Sequence, residues 1–203
     1  MEMTNLLFLY LNKFVPVSRE DFNEWLAPCL VTRKFGKKEI VTKTGEVENY
    51  FNFIISGLVR KYYKKGKEEI STQISHENHI MHAQESFHSR LPSEYTIETI
   101  EPTVMVSITY EDLEKANAKS QKMEHMSRII ITNALVIKDN WQMQIIKMTP
   151  RERFLHFVQK NPVLVQRVPQ KFLASFLNIK PETFSRFKHL IREHSRVKNL
   201  AAQ

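Results

Sequence analysis

The chain holds one cysteine, Cys29, among 203 residues. A lone thiol cannot close an internal disulfide, so the fold rests on its core and suits a reducing compartment, the cytoplasm. It also cannot supply the roughly four thiolates of an iron–sulfur sensor cluster. Cys29 follows Pro28 and reads as a small apolar residue rather than a redox centre. No apolar run approaches the roughly 18 residues a membrane span needs, so no membrane partner is expected. Leu6 to Leu11 is short and preceded by Glu2 rather than a basic run, which points to an amphipathic helix and away from a secretion signal. Glycine is scarce as well: Gly36, Gly45, Gly57 and Gly66, and none after them. A phosphate-cradling glycine loop, a Ser/His/Asp set and paired carboxylates are all missing, so the chain reads as a non-enzyme.

What is present divides along the chain. The glycines, with gaps of 9, 12 and 9 residues, punctuate short β-prone runs: 30–32, 39–42, 50–55, 58–63 and 70–74. Ser56-Gly57 reads as a tight turn between two of them, and Lys64-Lys65-Gly66-Lys67 as an exposed hairpin loop. Two further strands are expected near Tyr95–Ile100 and Val104–Ile108. Eight or so short strands suggest a jelly roll. From Glu111 to Thr149 no glycine or proline occurs, and a long helix is expected over Gln121 to Lys147. Met126, Ile130, Ile137 and Trp141 fall near a and d spacing, while Ile129, Ile131, Leu135 and Val136 add apolar surface on other sides. A helix apolar on more than one face buries more than one face. One face can cover the sheets; the other is assigned to the same helix of a second chain, with Met126, Ile130, Ile137 and Trp141 as the interface.

Thr149-Pro150-Arg151-Glu152 forms a capping box with proline at the first helical position. The helix it opens, Pro150–Gln159, is expected to bury Phe154, Leu155 and Val158. A first helix over Gln170–Leu177 and a second from Pro181 follow, separated by Asn178, a residue that tolerates the left-handed conformation. Ala174 stands where two steeply crossed helices would touch. In the second helix Phe184, Phe187, Leu190 and Ile191 share one face. Glu182, Thr183, Ser185, Arg186, His189 and Arg192 share the other, and an arginine in such a place can read guanine. Charge supports this placement. Residues 150–203 hold eleven Lys and Arg against three Asp and Glu, while residues 1–149 hold nineteen of each. The net charge of +8 therefore lies wholly in the last quarter, the footprint of a polyanion-binding segment.

At these residues the chain resembles the Crp/Fnr family of transcription regulators. The stretch Val168 to Leu177, followed by Ile179 to Arg186, is close to the family's DNA-binding helix pair. Phe53-Ile54-Ile55-Ser56-Gly57-Leu58-Val59-Arg60 resembles its central strand–turn–strand. Ser86-Phe87, Pro92-Ser93 and Ile97-Glu98-Thr99-Ile100-Glu101 resemble one branch of it. The resemblance implies an α+β chain: an N-terminal antiparallel β-roll (jelly roll, cupin-like) with flanking helices, a long dimerisation helix, and a C-terminal winged-helix-like helix-turn-helix. The domains expected are 1–120 for effector sensing, 121–147 for dimerisation and 148–203 for DNA. The implied partners are double-stranded DNA, a second copy of the chain, RNA polymerase and a small-molecule effector of unknown identity. Bases fall to Glu182, Thr183, Ser185, Arg186 and His189, and phosphates to Gln170, Lys171 and Lys188.

Two departures qualify the resemblance. In cyclic-AMP-binding members a Gly-Glu pair and an Arg-Ser pair hold the sugar and cyclic phosphate. Those positions fall here on His82-Ala83 and Ser93-Glu94, and Glu94 would set negative charge against a phosphate. No known cofactor is expected and cAMP is not expected in the usual way. The effector pocket is sought around His82, Ala83, Ser86, Phe87, Arg90, Ser93 and Glu94, with Arg90 as the one nearby substitute cation. Second, the twelve residues after Ile191 carry no strand pattern, so the wing is expected to be truncated. Two alternatives remain: a ligand-binding β-roll whose helical tail contacts proteins only, or a histidine-metal cupin enzyme built on His76, His79, His82 and His88. Against the latter, i and i+3 positions on a strand point to opposite faces, so no metal site is expected and the histidines read as an exposed loop.

Overall fold

The computed structural model describes residues 2–189. Helix α1 (Glu2–Leu11) leads into α2 (Arg19–Asp21), which Ser18 caps and which continues as a π-helical turn over Phe22–Leu26. Eight strands follow: β1 (Leu30–Phe35), β2 (Ile40–Thr42), β3 (Tyr50–Ser56), β4 (Val59–Lys65), β5 (Glu68–Ser75), β6 (Ile80–Met81), β7 (Thr96–Thr99) and β8 (Thr103–Thr109). Helix α3 (Gln84–Ser89) interrupts them after β6. They form two antiparallel sheets in the orders β1-β8-β3-β6 and β2-β7-β4-β5, a β-roll.

The Ser56-Gly57 turn does not fold β4 back onto β3. It carries the chain from one sheet to the other, since β3 pairs with β8 and β6 while β4 pairs with β5 and β7. Gly57 has φ of 106°, and a Cβ there would meet Thr103 and Pro102 at 2.4–2.7 Å, so this corner admits glycine alone. The Lys64–Lys67 segment is the β4–β5 hairpin, turning at Gly66. Strand β6, two residues long, is below what a period-2 pattern can reveal.

Helices α4 (Tyr110–Lys119) and α5 (Gln121–Lys147) meet at Ser120, whose hydroxyl caps α5 by accepting from Met123 N. One face of α5 packs Met123, Met126 and Ile130 against Leu7, Leu11, Phe53 and Ile108, closing the outer side of the first sheet. Beyond it come α6 (Pro150–Lys160), α7 (Pro162–Arg167), α8 (Gln170–Phe176) and a helix over 181–189, α9. The Thr149 capping box is formed in both directions. Helix α6 buries Arg153, Phe154 and Phe157, with Leu155 and Val158 only partly covered, one step around from the stripe read in the sequence. Asn178 takes φ of 52° between α8 and α9. No helix among the described residues is long and apolar enough to cross a membrane. Leu190, Ile191, Arg192 and the expected wing truncation lie outside the described residues.

Candidate functional site

The helix pair stands on an aromatic core. Phe154 of α6 meets Phe184 edge-on at 5.1 Å and Phe187 at 5.5 Å, fixing the inner face of α9. Phe157 meets Phe176 of α8 at 5.7 Å, and Trp141 of α5 stacks flat on Phe176 at 4.4 Å. Leu173 and Ala174 of α8, and Leu177 just past its end, are fully buried beneath. With Phe184 held inward, the helical period leaves Glu182, Ser185, Arg186, Lys188 and His189 exposed, with Thr183 partly so. Gln170 and Lys171, at the start of α8, are exposed as well.

Arg153 ties this unit to α5. Its side chain is 6% exposed and donates to the carbonyls of Ile145 (2.8 Å) and Met148 (3.2 Å) at the end of α5. It also donates to those of Leu177 (3.0 Å) and Asn178 (3.3 Å), at the bend between α8 and α9. One guanidinium thus satisfies helix-end acceptors and places positive charge where two helix dipoles are negative. Its five donors in a planar fork make the four-way arrangement possible.

The unit also docks on its own β-roll. Ser175 of α8 accepts from Ser71 N (2.9 Å) and donates to Glu69 O (3.1 Å), occupying the open edge of β5. Arg60, paired with Glu98 and Glu69, lies 3.8 Å from the ring centre of Phe172. Arg167 reaches from α7 to Glu77 with two hydrogen bonds of 2.8 Å and to Glu101 at 2.6 Å. Its hydrogen bonds hold the Glu77 carboxyl down to about 2. Leu58, Ile74 and Ile100 of the roll share one apolar core with the helices.

The segment searched for an effector is braced from within. Glu48, buried and pushed up by that burial, accepts from Ala83 N (3.2 Å), Tyr50 N (3.0 Å) and Thr42 Oγ1 (2.8 Å). Its own N–H donates to Ser86 Oγ (3.0 Å), and its carbonyl accepts from Arg90 (2.7 Å). Arg90 also donates to Asn49 (2.6 Å) and Phe87 O (3.2 Å) and lies over the Tyr110 ring. Ser93 is buried and bonded to Glu85 and the Tyr95 backbone, whereas Glu94 is exposed. A cyclic phosphate would find Ser93 and Glu94 where the arginine is needed and an Arg90 whose two terminal nitrogens already serve protein acceptors, so these residues do not fit a cyclic nucleotide held in the usual way. Glu48 was missed in the sequence because a lone glutamate among polar neighbours gives no sign of burial.

The histidines divide into two pairs, with rings 4.5 Å apart for His76 and His79 and 6.0 Å for His82 and His88. His82 corrects the exposed-loop expectation. It packs on Phe51 and Phe87, its Nε2 has no protein partner, and burial pulls its pKa down to about 3. Among the described residues no group of three or more His, Cys, Asp or Glu is placed to hold a metal.

The four residues assigned to a dimer seam also separate. Met126 and Ile130 lie in the chain's own core and Trp141 is stacked on Phe176, so these three face inward. Ile137 is 68% exposed, beside exposed Leu135 and Val136. The a/d spacing was real, but the β-roll and the helix pair take up most of it.

Comparison with known proteins agrees with the fold. Residues 32–120 match the model of the cyclic nucleotide-binding domain. Among solved structures, FixK2 from Bradyrhizobium japonicum superposes with a TM-score of 0.71 at 16% identity, over 82% of this chain and 85% of that one. The c-di-GMP-responsive global regulator CLP of Xanthomonas campestris gives 0.66 at 15%, over 88% and 93%. A protein of Eubacterium rectale ascribed to the Crp/Fnr family of transcriptional regulators gives 0.65 at 14%, over 88% and 85%. No curated protein matches the chain. The chain thus has an α+β fold with a β-roll of the cyclic nucleotide-binding kind and a long helix, the architecture of these regulators.

Proposed function

We propose that the chain is a sequence-specific DNA-binding transcription regulator of the Crp/Fnr kind, a homodimer reading a palindromic site under an effector other than cAMP. The observation that carries this reading is α9: Phe184 and Phe187 are anchored on Phe154, leaving Glu182, Ser185, Arg186 and His189 facing outward. The outward face belongs to the quarter of the sequence that holds the entire net charge of +8. Residues 1–120 then serve as the sensing unit, 121–147 as the dimer helix and 148–203 as the reader. Leu135, Val136 and Ile137, apolar and exposed at mid-α5, are the surface for the second copy. Such a dimer places two reading helices on half-sites about one helical turn apart. RNA polymerase is a further partner on this reading.

The test is a binding site selected from random duplexes, followed by two substitutions. Arg186→Ala should cost about 1–3 kcal/mol and relax preference at one base pair per half-site. Lys171→Ala should weaken all sequences alike and reduce the slope of log affinity against log salt by about 1. A selection that returns no consensus contradicts the reading.

A further inference from the structure

Strands β4 and β5 end in a basic tip, Lys64, Lys65 and Lys67 around Gly66. All three lysines are exposed, and among the described residues none of them is in an ion pair. Of the two carboxylates that follow, Glu69 is engaged by Arg60 at 2.7 Å, which leaves Glu68 alone against three cations. Residues 1–149 are neutral in sum, so the tip is a local excess in a neutral part of the chain.

The dock of α8 sets where that excess lies. Phe172 sits on Arg60, which stands opposite Ile74 in the β4–β5 register, while Ser175 bonds to Ser71 N and Glu69 O. From Phe172 to Ser175, α8 therefore advances along β5 towards the hairpin tip. Gly66 is three residues beyond Glu69, about 10 Å at the rise of a strand. The bend at Asn178 and the exposed Lys180 follow from that end of α8 and lead into α9. In a helix-turn-helix the first helix crosses the sugar–phosphate backbone while the second enters the major groove. With α8 and α9 in those roles, the tip stands beside the backbone that α8 crosses.

We propose that the β4–β5 hairpin is a second DNA contact, in which Lys64, Lys65 and Lys67 bind backbone phosphates of duplex DNA flanking the half-site under α9. This rests on the regulator reading and adds a contact made by the roll, outside residues 148–203. Lysine suits the task, being a point charge on a flexible stem that takes a phosphate without reading a base. The contact adds affinity and salt dependence but no sequence preference, because it displaces counterions and meets no base edge. It also needs DNA that extends past the half-sites.

The experiment compares the full chain with a variant carrying Lys64→Gln, Lys65→Gln and Lys67→Gln together. Two duplexes carry the selected site, one ending at its edges and one longer by about one helical turn, roughly 10 base pairs, on each side. A control carrying Lys13→Gln, Lys115→Gln and Lys119→Gln removes the same charge from exposed positions near the start of α5, about 40 Å along that helix from the reader. The parent chain should bind the longer duplex more tightly, and the hairpin variant should lose that gain. Its slope of log affinity against log salt on the longer duplex should fall by about 0.9 for each phosphate released, up to about 3 per half-site. Its slope on the short duplex and its base preference should stay as in the parent, and the control should match the parent on both. Equal slopes for parent and hairpin variant on the longer duplex would overturn the contact, and a hairpin that serves a protein partner gives that result. An equal loss in the control would overturn it too. Both of those outcomes leave the regulator reading standing if the selected site is still preferred over random DNA. A parent chain with no such preference removes the reading, and the hairpin contact with it.

Discussion

Replacing Arg153 with methionine keeps an unbranched apolar stem, stops short of the guanidinium position and removes every donor. Four backbone carbonyls, those of Ile145, Met148, Leu177 and Asn178, then lose their partner in a site where the arginine is 6% exposed. A hydrogen bond from a charged donor contributes about 1.5–3 kcal/mol, and a buried acceptor left unpaired costs about 1–3 kcal/mol. Bonds on one group are not additive. Counting only the two at 3.0 Å or less, the expected loss is about 3–5 kcal/mol, a large part of the roughly 5–15 kcal/mol that holds a domain together. Arg153→Lys keeps the charge but not the planar fork, so it should recover about 1–2 kcal/mol of that loss. Urea unfolding followed by circular dichroism measures the total. Trp141 emission, in a Trp25→Phe background, reports the junction itself through its stack on Phe176. A loss below about 1 kcal/mol for Arg153→Met would refute the reasoning, because the carbonyls would then be satisfied without the arginine.

Acid should weaken the protein through His82. Its pKa is about 3 when folded, against about 6.5 unfolded, so between those values the unfolded chain binds the extra proton and stability falls as pH falls. The slope approaches 1.4 kcal/mol per pH unit, or about 2 kcal/mol between pH 6.5 and 5, and His82→Leu should flatten it in a stability–pH profile. Glu77 acts lower: its contribution is complete above about pH 4.5 and is lost as pH falls through about 2. Arg167→Ala should remove that component and cost about 1–2 kcal/mol, discounted for solvent because the three side chains are 28–32% exposed; equal acid sensitivity in the variant would deny the clasp. Ile137→Glu should convert a dimer to a monomer in sedimentation velocity while leaving the circular dichroism spectrum intact, whereas a persisting dimer would place the seam elsewhere.

Features set by neighbours in sequence were readable there. Helix α5 begins and ends where expected, Gln121 to Lys147, because Ser120 caps it and nothing within it breaks a helix. The Thr149 capping box and the left-handed Asn178 are equally local. Features set across the fold were not readable. The burial of Arg153 and Glu48 depends on acceptors and donors up to 42 residues away in the chain. Ser175 meets β5 across more than 100 residues, and Arg167 meets Glu77 across 90. Periodicity located the apolar faces of α5 but could not say which partner each face meets. Met126 and Ile130 went to the roll and Trp141 to Phe176, leaving Ile137 open. Of the effector residues placed by resemblance, Ser86, Arg90 and Ser93 spend polar atoms on the chain's own bracing, whereas His82 Nε2 has no protein partner and Glu94 is exposed.

The central claim is that the basic, outward face of α9 reads DNA. The most direct test is binding of the purified chain to a labelled duplex from its own upstream region, across a salt series, against random competitor DNA. The account predicts tight binding that survives competitor, with log affinity falling steeply and linearly with log salt, by about 0.9 for each phosphate contacted. Equal, weak binding to both duplexes, or affinity unchanged by salt, would contradict it.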